Sequence, residues 1–239
     1  MSGARRIAIG MLGERHVGIL QCLANAIGAA TYSDPPFNGQ QGRQRLFRDI
    51  IGRVAFHEIV ETGTFRGDTA AFMARESGLP VFTCEHSPRH FSFSRTRFVL
   101  DRDVRVAHID SREFLAAHFA KANGERRSAF VYLDAHWGPD LPLFEETRIL
   151  FAAPHDVVVM IDDFRVPDDP GYRCDSYGPG ATLELDYLRI GELPETRIFF
   201  PAVPSGEETG ACRGCVVLAR EGPTAAALRT SRLLRPWTA

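Results

Sequence analysis

The residues best suited to chemistry in this chain are acids that close short apolar runs. Glu61-x-Gly63-x-x-x-Gly67 lies where the run from His57 to Thr62 gives way to a helix-forming segment. Glycines there let the backbone turn sharply and approach a ligand closely. The spacing is not GxGxxG, so the dinucleotide-binding fingerprint is absent. An acid at the front also suits a ligand carrying an ammonium group and hydroxyls better than a pyrophosphate. A plain strand–turn–helix with glycines is the competing reading. Glu85 closes the second run, where a carboxylate can accept both hydroxyl protons of a ribose; a surface glutamate paired with His86 or Arg89 is its alternative. Asp110-Ser111 closes the third, and helix capping explains Asp110 as well as ligand contact does. Asp134 and His136 close the fourth run, Asp162 and Asp163 the fifth. The near-neutral titration of histidine suits His136 to a general base; metal ligation and stacking on Trp137 are the alternatives.

Placing those acids requires strand ends. Seven β-like runs are evident: 57–62, 80–85, 104–109, 129–135, 157–162, 197–201 and 214–219. The middle ones are nearly continuous apolar runs, as in parallel strands buried on both faces. Most are separated by helix-length segments, which predicts a doubly wound α/β sheet. Ser87-Pro88 reads as an N-cap with proline in the first turn, and Asp110-Ser111-Arg112-Glu113 has capping-box spacing. Residues 1–50 form a helical prelude, broken around Asp34-Pro35-Pro36-Phe37-Asn38-Gly39. Residues 51–239 form the main domain. Between 164 and 180 the periodicity dissolves into Pro, Asp, Gly and Tyr, and irregular stretches of that length are usually functional, often as lids.

The glycine segment resembles motif I of the class I S-adenosylmethionine-dependent methyltransferases, with Phe65 in place of the usual middle glycine. That resemblance implies a Rossmann-like, mostly parallel seven-stranded sheet with the last strand antiparallel and helices on both faces. It further implies S-adenosylmethionine lying across Glu61, Gly63, Thr64, Phe65, Gly67, Glu85, His86, Asp110, Ser111 and Asp134. In the methyltransferase strand order the fourth and fifth strands are neighbours, about 4.8 Å apart. Asp134, Asp162 and Asp163 would then meet, and three uncompensated carboxylates call for a cation, with Mg²⁺ the hard ion that fits. In the competing reading these acids cap loops or hold the cofactor amine. The spacing is similar to the catechol-type O-methyltransferases, to macrolide-sugar O-methyltransferases and to cephalosporin-hydroxylase relatives, with Asp163 where the catechol group usually has Asn. Three further segments, Pro36–Gln40, Val166–Tyr172 and Thr209-Gly210-x-x-Arg213-Gly214, resemble bacterial methyltransferases of this group, so that roughly residues 35–220 are covered. By this resemblance the chain methylates a hydroxyl of a small molecule such as a natural product, sugar or phenol. His136 and Asp134 would be catalytic, and Arg165, Tyr172, Arg173, Asp175 and Tyr177 would select the substrate. Metal-independent N- or C-methylation, or a catalytically inactive cofactor-binding regulator, are the rival readings.

Composition narrows the partners. The 239 residues hold 28 Lys plus Arg against 30 Asp plus Glu. That balance argues against a general nucleic-acid binder. Arg43, Arg45 and Arg48 at helical spacing read as a solvated face. No run is long and apolar enough for a transmembrane helix, and Glu14, Arg15 and His16 interrupt any signal-peptide core. Five scattered cysteines suit reduced thiols in a cytoplasm, and Cys212-Arg-Gly-Cys215 lacks the second pair a zinc site needs. A small-molecule acceptor and a homodimer are the expected partners.

Overall fold

The computed structural model describes residues 3–238 apart from Ser33, 121–125, 137–139 and Pro194, with side chains from Gly13 onward. Five strands run parallel: β1 (Glu58–Thr62), β2 (Val81–Cys84), β3 (Val104–Ala107), β4 (Ser128–Leu133) and β5 (Asp156–Ile161). β6 (Thr196–Pro201), β7 (Val216–Arg220) and the short β8 (Leu234–Pro236) complete the sheet in the order β3-β2-β1-β4-β5-β7-β6-β8. All seven runs expected from the sequence form strands. β7 inserts antiparallel between β5 and β6. β8 is an addition: three residues pairing antiparallel with β6 at the sheet edge. So short a strand has no periodicity to detect.

Helices cover both faces, as the alternation of buried side chains requires. One face carries Ile59, Phe130, Tyr132, Val158 and Met160 against α2 (Gln41–Arg53), α3 (Asp68–Ser77) and α8 (Pro223–Arg229). The other carries Val60, Val131, Leu133, Val159 and Ile161 against α5 (Ser111–Ala120), α6 (Leu143–Ala152) and the short α7 (Leu185–Leu188). Adjacent residues of one strand thus enter opposite cores, the period of two that a doubly covered sheet demands. α1 (Gly3–Ala26), kinked at Gly13, packs on α4 (Pro88–Arg97), and Gly18 sits so close to the Arg89 carbonyl that a side chain there would collide. Phe37, Leu46, Phe47 and Ile50 lie in the first core, so residues from Phe37 onward are part of the layer that covers the sheet. Among the described residues no helix is long and apolar enough to cross a membrane.

The register decides where the chemistry sits. Thr62 pairs with Cys84 on one side and with Leu133 on the other, and Leu133 pairs with Ile161. The residues that follow, Gly63, Glu85, Asp134 and Asp162, therefore emerge in one row at the carboxyl edge. The sheet winds outward in opposite directions from the β1/β4 boundary, where open α/β sheets bind their ligands.

Phe47 tests the α2–sheet packing, being fully buried between Phe37, Phe72 and Phe130. Phe47→Ala is expected to lower the unfolding free energy by about 3–5 kcal/mol in urea titrations. Arg45→Ala, on the exposed side of the same helix, should stay within about 0.5 kcal/mol of the parent.

Candidate active site

The glycine loop is built by backbone geometry. Gly63 and Gly67 both have positive φ, 85° and 81°. Gly63 stands against the Asp134 carbonyl and Gly67 against the Phe98 ring, so a side chain at either would collide. Phe65, at the position of the absent glycine, also takes a left-handed φ of 49°. That conformation is strained for a bulky residue, at about 1–3 kcal/mol, and is typical of ligand-binding turns. Its amide donates to Glu85 Oε2 at 2.8 Å, while Ser87 N donates to Oε1 at 2.8 Å. The ring packs edge-on against His90, with Arg66 over its face.

Glu61 is buried and accepts from Thr83 Oγ1 at 2.7 Å, with Thr64 Oγ1 a further 2.6 Å along. Burial pushes its carboxyl up to about 8, which favours the protonated form at neutral pH. Glu85 is half-buried and also raised by burial, against the two amides that favour its charge. Asp110 caps α5, accepting from Arg112 N at 2.9 Å, and both its oxygens are held by the Arg112 guanidinium at 3.0 Å. That pairing, acting against burial, holds its carboxyl low. Ser111 is buried beside it, whereas the His86 side chain is exposed and its carbonyl faces His108.

The second acid group differs from the expected trio. Asp162 is fully buried, and both its oxygens are engaged: the Arg43 guanidinium pairs with Oδ1, which also accepts from Asp163 N at 2.8 Å, and Tyr132 donates to Oδ2 at 2.5 Å. Burial would raise this carboxyl, but Arg43 and Tyr132 outweigh it and hold it low. Asp162 is thus a structural anion rather than an open metal ligand. The solvated-face reading of the three arginines fails for Arg43, which is only 2% exposed and also donates to the carbonyls of Arg213 (2.7 Å) and Gly214 (3.0 Å).

His136 takes the place that Asp162 leaves. It is 1% exposed, neither ring nitrogen has a hydrogen-bond partner among the described residues, and Nε2 lies 3.9 Å from Asp134 Oδ1. Asp163, at φ 54° and 3% exposed, also leaves Oδ1 without a hydrogen bond, 3.4 Å from Arg213 Nε. One donor atom each from Asp134, His136 and Asp163 lies within 4.8 Å of the others. Burial, then neighbouring acids, push the Asp134 and Asp163 carboxyls up. Burial lowers His136 to about 4, leaving a neutral imidazole. Unpartnered buried donors of this kind fit a divalent cation, since each orphan group otherwise carries about 1–3 kcal/mol of unrepaid desolvation.

Segment 164–180 has no helix or strand, yet it is tied down. Asp175 N donates to the Asp163 carbonyl at 2.9 Å, Arg165 N to Leu183 O at 2.8 Å and Tyr177 N to Ala181 O at 3.0 Å. Tyr177 reaches the site, donating to the His136 carbonyl, and Asp175 pairs with Arg213. The other three candidates do not reach it. Arg165 pairs with Glu184 at 3.1 Å, Tyr172 is buried with its hydroxyl on Val203 O, and Arg173 donates to Ala211 O. Trp137 lies outside the described residues.

No protein-family model and no curated protein sequence matches the chain. Solved structures do. The O-methyltransferase TomG from Streptomyces achromogenes, involved in tomaymycin synthesis and solved with S-adenosylmethionine, superposes with a TM-score of 0.55 at 15% identity, over 86% of this chain and 90% of that one. A Klebsiella pneumoniae protein assigned as an O-methyltransferase gives 0.54 at 15% identity, over 92% and 97%. The chain has the class I methyltransferase fold. Spermidine synthase from Thermotoga maritima shares it too, at 0.53 and 12% identity over 79% of this chain and 63% of that one. The methyltransferase fold therefore does not by itself choose the reaction; the side chains must.

Sequence reasoning left three residues of this site unassigned. Arg43 was hidden by its exposed neighbours, and Arg213 lay in a matched segment without an assigned role. Glu146 is the third, fully buried on α6 beside the hydroxyls of Ser111 and, at the end of β1, Thr62. Burial pushes it up to about 7. The only signal in the sequence was an acid at an apolar position of an amphipathic helix.

Two measurements follow from these charges. Arg43→Met should cost about 3–5 kcal/mol by leaving Asp162 buried and unpaired, and adding Asp162→Asn should restore part of that. Glu146 binds its proton more tightly folded (about 7) than unfolded, so wild-type stability falls as pH rises from 5 to 8. Glu146→Gln removes that contribution to the slope; its stability relative to wild type should increase by about 3 kcal/mol between pH 5 and pH 8. A difference that does not change with pH would contradict the raised pKa.

Proposed function

We propose that the protein transfers the methyl group of S-adenosylmethionine to a hydroxyl of a small molecule, assisted by a divalent cation. The observation that carries this reading is the backbone contact between Gly63 and the Asp134 carbonyl. It fixes the cofactor loop against the first residue of the carboxylate–imidazole cluster. S-adenosylmethionine supplies an electrophilic methyl on a sulfonium centre. Glu85, whose oxygens each accept one backbone amide, retains lone pairs for the two ribose hydroxyls. Gly63 and Gly67 allow the close backbone approach, Asp110 and Ser111 would contact the adenine, and the buried Glu61 is linked to the loop through Thr83 and Thr64.

Asp134, His136 and Asp163 would hold the cation, which supplies the charge that lowers the pKa of an acceptor hydroxyl and orients it. Asp162 contributes by fixing the backbone of Asp163. An imidazole whose conjugate acid sits near 4 is a poor acceptor of a hydroxyl proton at pH 7, so His136 serves better as a ligand than as the general base. Tyr177 and Asp175 hold the loop over the site and keep His136 in place. The reaction then needs chiefly in-line placement of acceptor oxygen and methyl, which a rigid strand-end scaffold provides.

Calorimetry on the purified chain should show one S-adenosylmethionine site, and Glu85→Gln should weaken it tenfold or more, about 1.4 kcal/mol. Absence of cofactor binding would remove the proposal. Chelator treatment should abolish transfer to a hydroxyl acceptor and added metal restore it; full activity in EDTA would instead favour metal-independent N- or C-methylation.

A further inference from the structure

We infer that the cation belongs to the first-row transition metals, with His136 as a direct ligand, rather than being Mg²⁺ held by carboxylates alone. The inference rests on the proposed reading of this cluster as a metal site and adds its ligand set and ion class. Three observations carry it. The Asp162 carboxylate is already charge-matched by Arg43 and held by Tyr132, and it lies outside the group of donor atoms that converge. His136 brings nitrogen donors into the same space, 1% exposed and with neither nitrogen hydrogen-bonded among the described residues. Donor atoms of Asp134, His136 and Asp163 lie within 4.8 Å of one another, close enough to converge on one ion.

Charge count agrees. Arg43 balances Asp162, and Arg213 pairs with Asp175 while standing 3.4 Å from Asp163. Asp134 and Asp163 remain, two negative charges for one divalent ion. Mg²⁺ demands near-octahedral oxygen ligands and gains little from an imidazole. Imidazole combined with carboxylates suits Mn²⁺, Fe²⁺, Co²⁺, Ni²⁺ or Zn²⁺. Three protein donors leave positions open for an acceptor, as in catalytic rather than structural metal sites. The backbone supports the ligands: Tyr177 donates to the His136 carbonyl, and Asp175 N to that of Asp163.

The test uses the full chain stripped of metal and titrated with Mn²⁺ under electron paramagnetic resonance. One Mn²⁺ should bind per chain, pulsed spectra should show coupling to a ¹⁴N nucleus, and Mg²⁺ should displace it only at tenfold or greater excess over Mn²⁺. His136→Ala should remove the nitrogen coupling and weaken Mn²⁺ at least tenfold; His136→Asn provides the same comparison should the alanine variant not fold. Mn²⁺ bound without nitrogen coupling, equal competition by Mg²⁺, or wild-type binding by the His136 variants would each overturn the inference. Cofactor calorimetry on the same preparation separates the two readings. Intact S-adenosylmethionine binding alongside such a negative metal result refutes this inference alone, while nitrogen-coupled Mn²⁺ without cofactor binding refutes methyl transfer and leaves the metal site standing.

Discussion

The buried pair between Arg43 and Asp162 organises the carboxyl edge of this protein. Both groups are almost fully excluded from solvent, and Arg43 reaches across from α2 to the end of β5 while also gripping the carbonyls of Arg213 and Gly214. A charge so placed is tolerable only when fully paired, because desolvating either ion alone costs several kcal/mol. The pair therefore ties three distant parts of the chain to a single arrangement: α2, the β5 end and the turn leading into β7.

Around that pair the segments in which the sequence resembles bacterial methyltransferases interlock. Gln40 donates to the Arg213 carbonyl at 2.8 Å and accepts from its amide at 3.2 Å. Ala211 N donates to Asn38 O, and Thr209 Oγ1 to Gly39 O at 2.9 Å. Phe37 meanwhile plugs the core beneath them, against Phe47, Phe72 and Tyr132. The Pro36–Gln40 and Thr209–Gly214 segments are thus two halves of one structural latch. Their importance is to hold Arg43 in place, and through it the geometry of Asp162 and Asp163.

Two of the left-handed non-glycine residues stand at the carboxyl edge of the sheet. Phe65 and Asp163 both adopt left-handed backbone, and each is fixed by a neighbouring acid: Glu85 accepts from the Phe65 amide, Asp162 from the Asp163 amide. An over-determined environment lets such conformations persist, and they point a backbone or carboxylate where relaxed geometry would not.

The sequence alone was enough for the sheet, because buried parallel strands write themselves as apolar runs and their acidic ends stand out against them. Seven strands, the glycine loop and the row of Glu61, Glu85, Asp110 and Asp134 were legible for that reason. Tertiary structure decided which charges are spent and which are open. Arg43 lies five positions before the exposed Arg48, with nothing in its neighbours to mark it as buried, yet it neutralises an aspartate 119 residues away. That contact neutralises Asp162, while donor atoms of Asp134, His136 and Asp163 converge beside it. Charge pairing across such distances depends on which side chains meet when layers pack, and no local pattern of residue types encodes it.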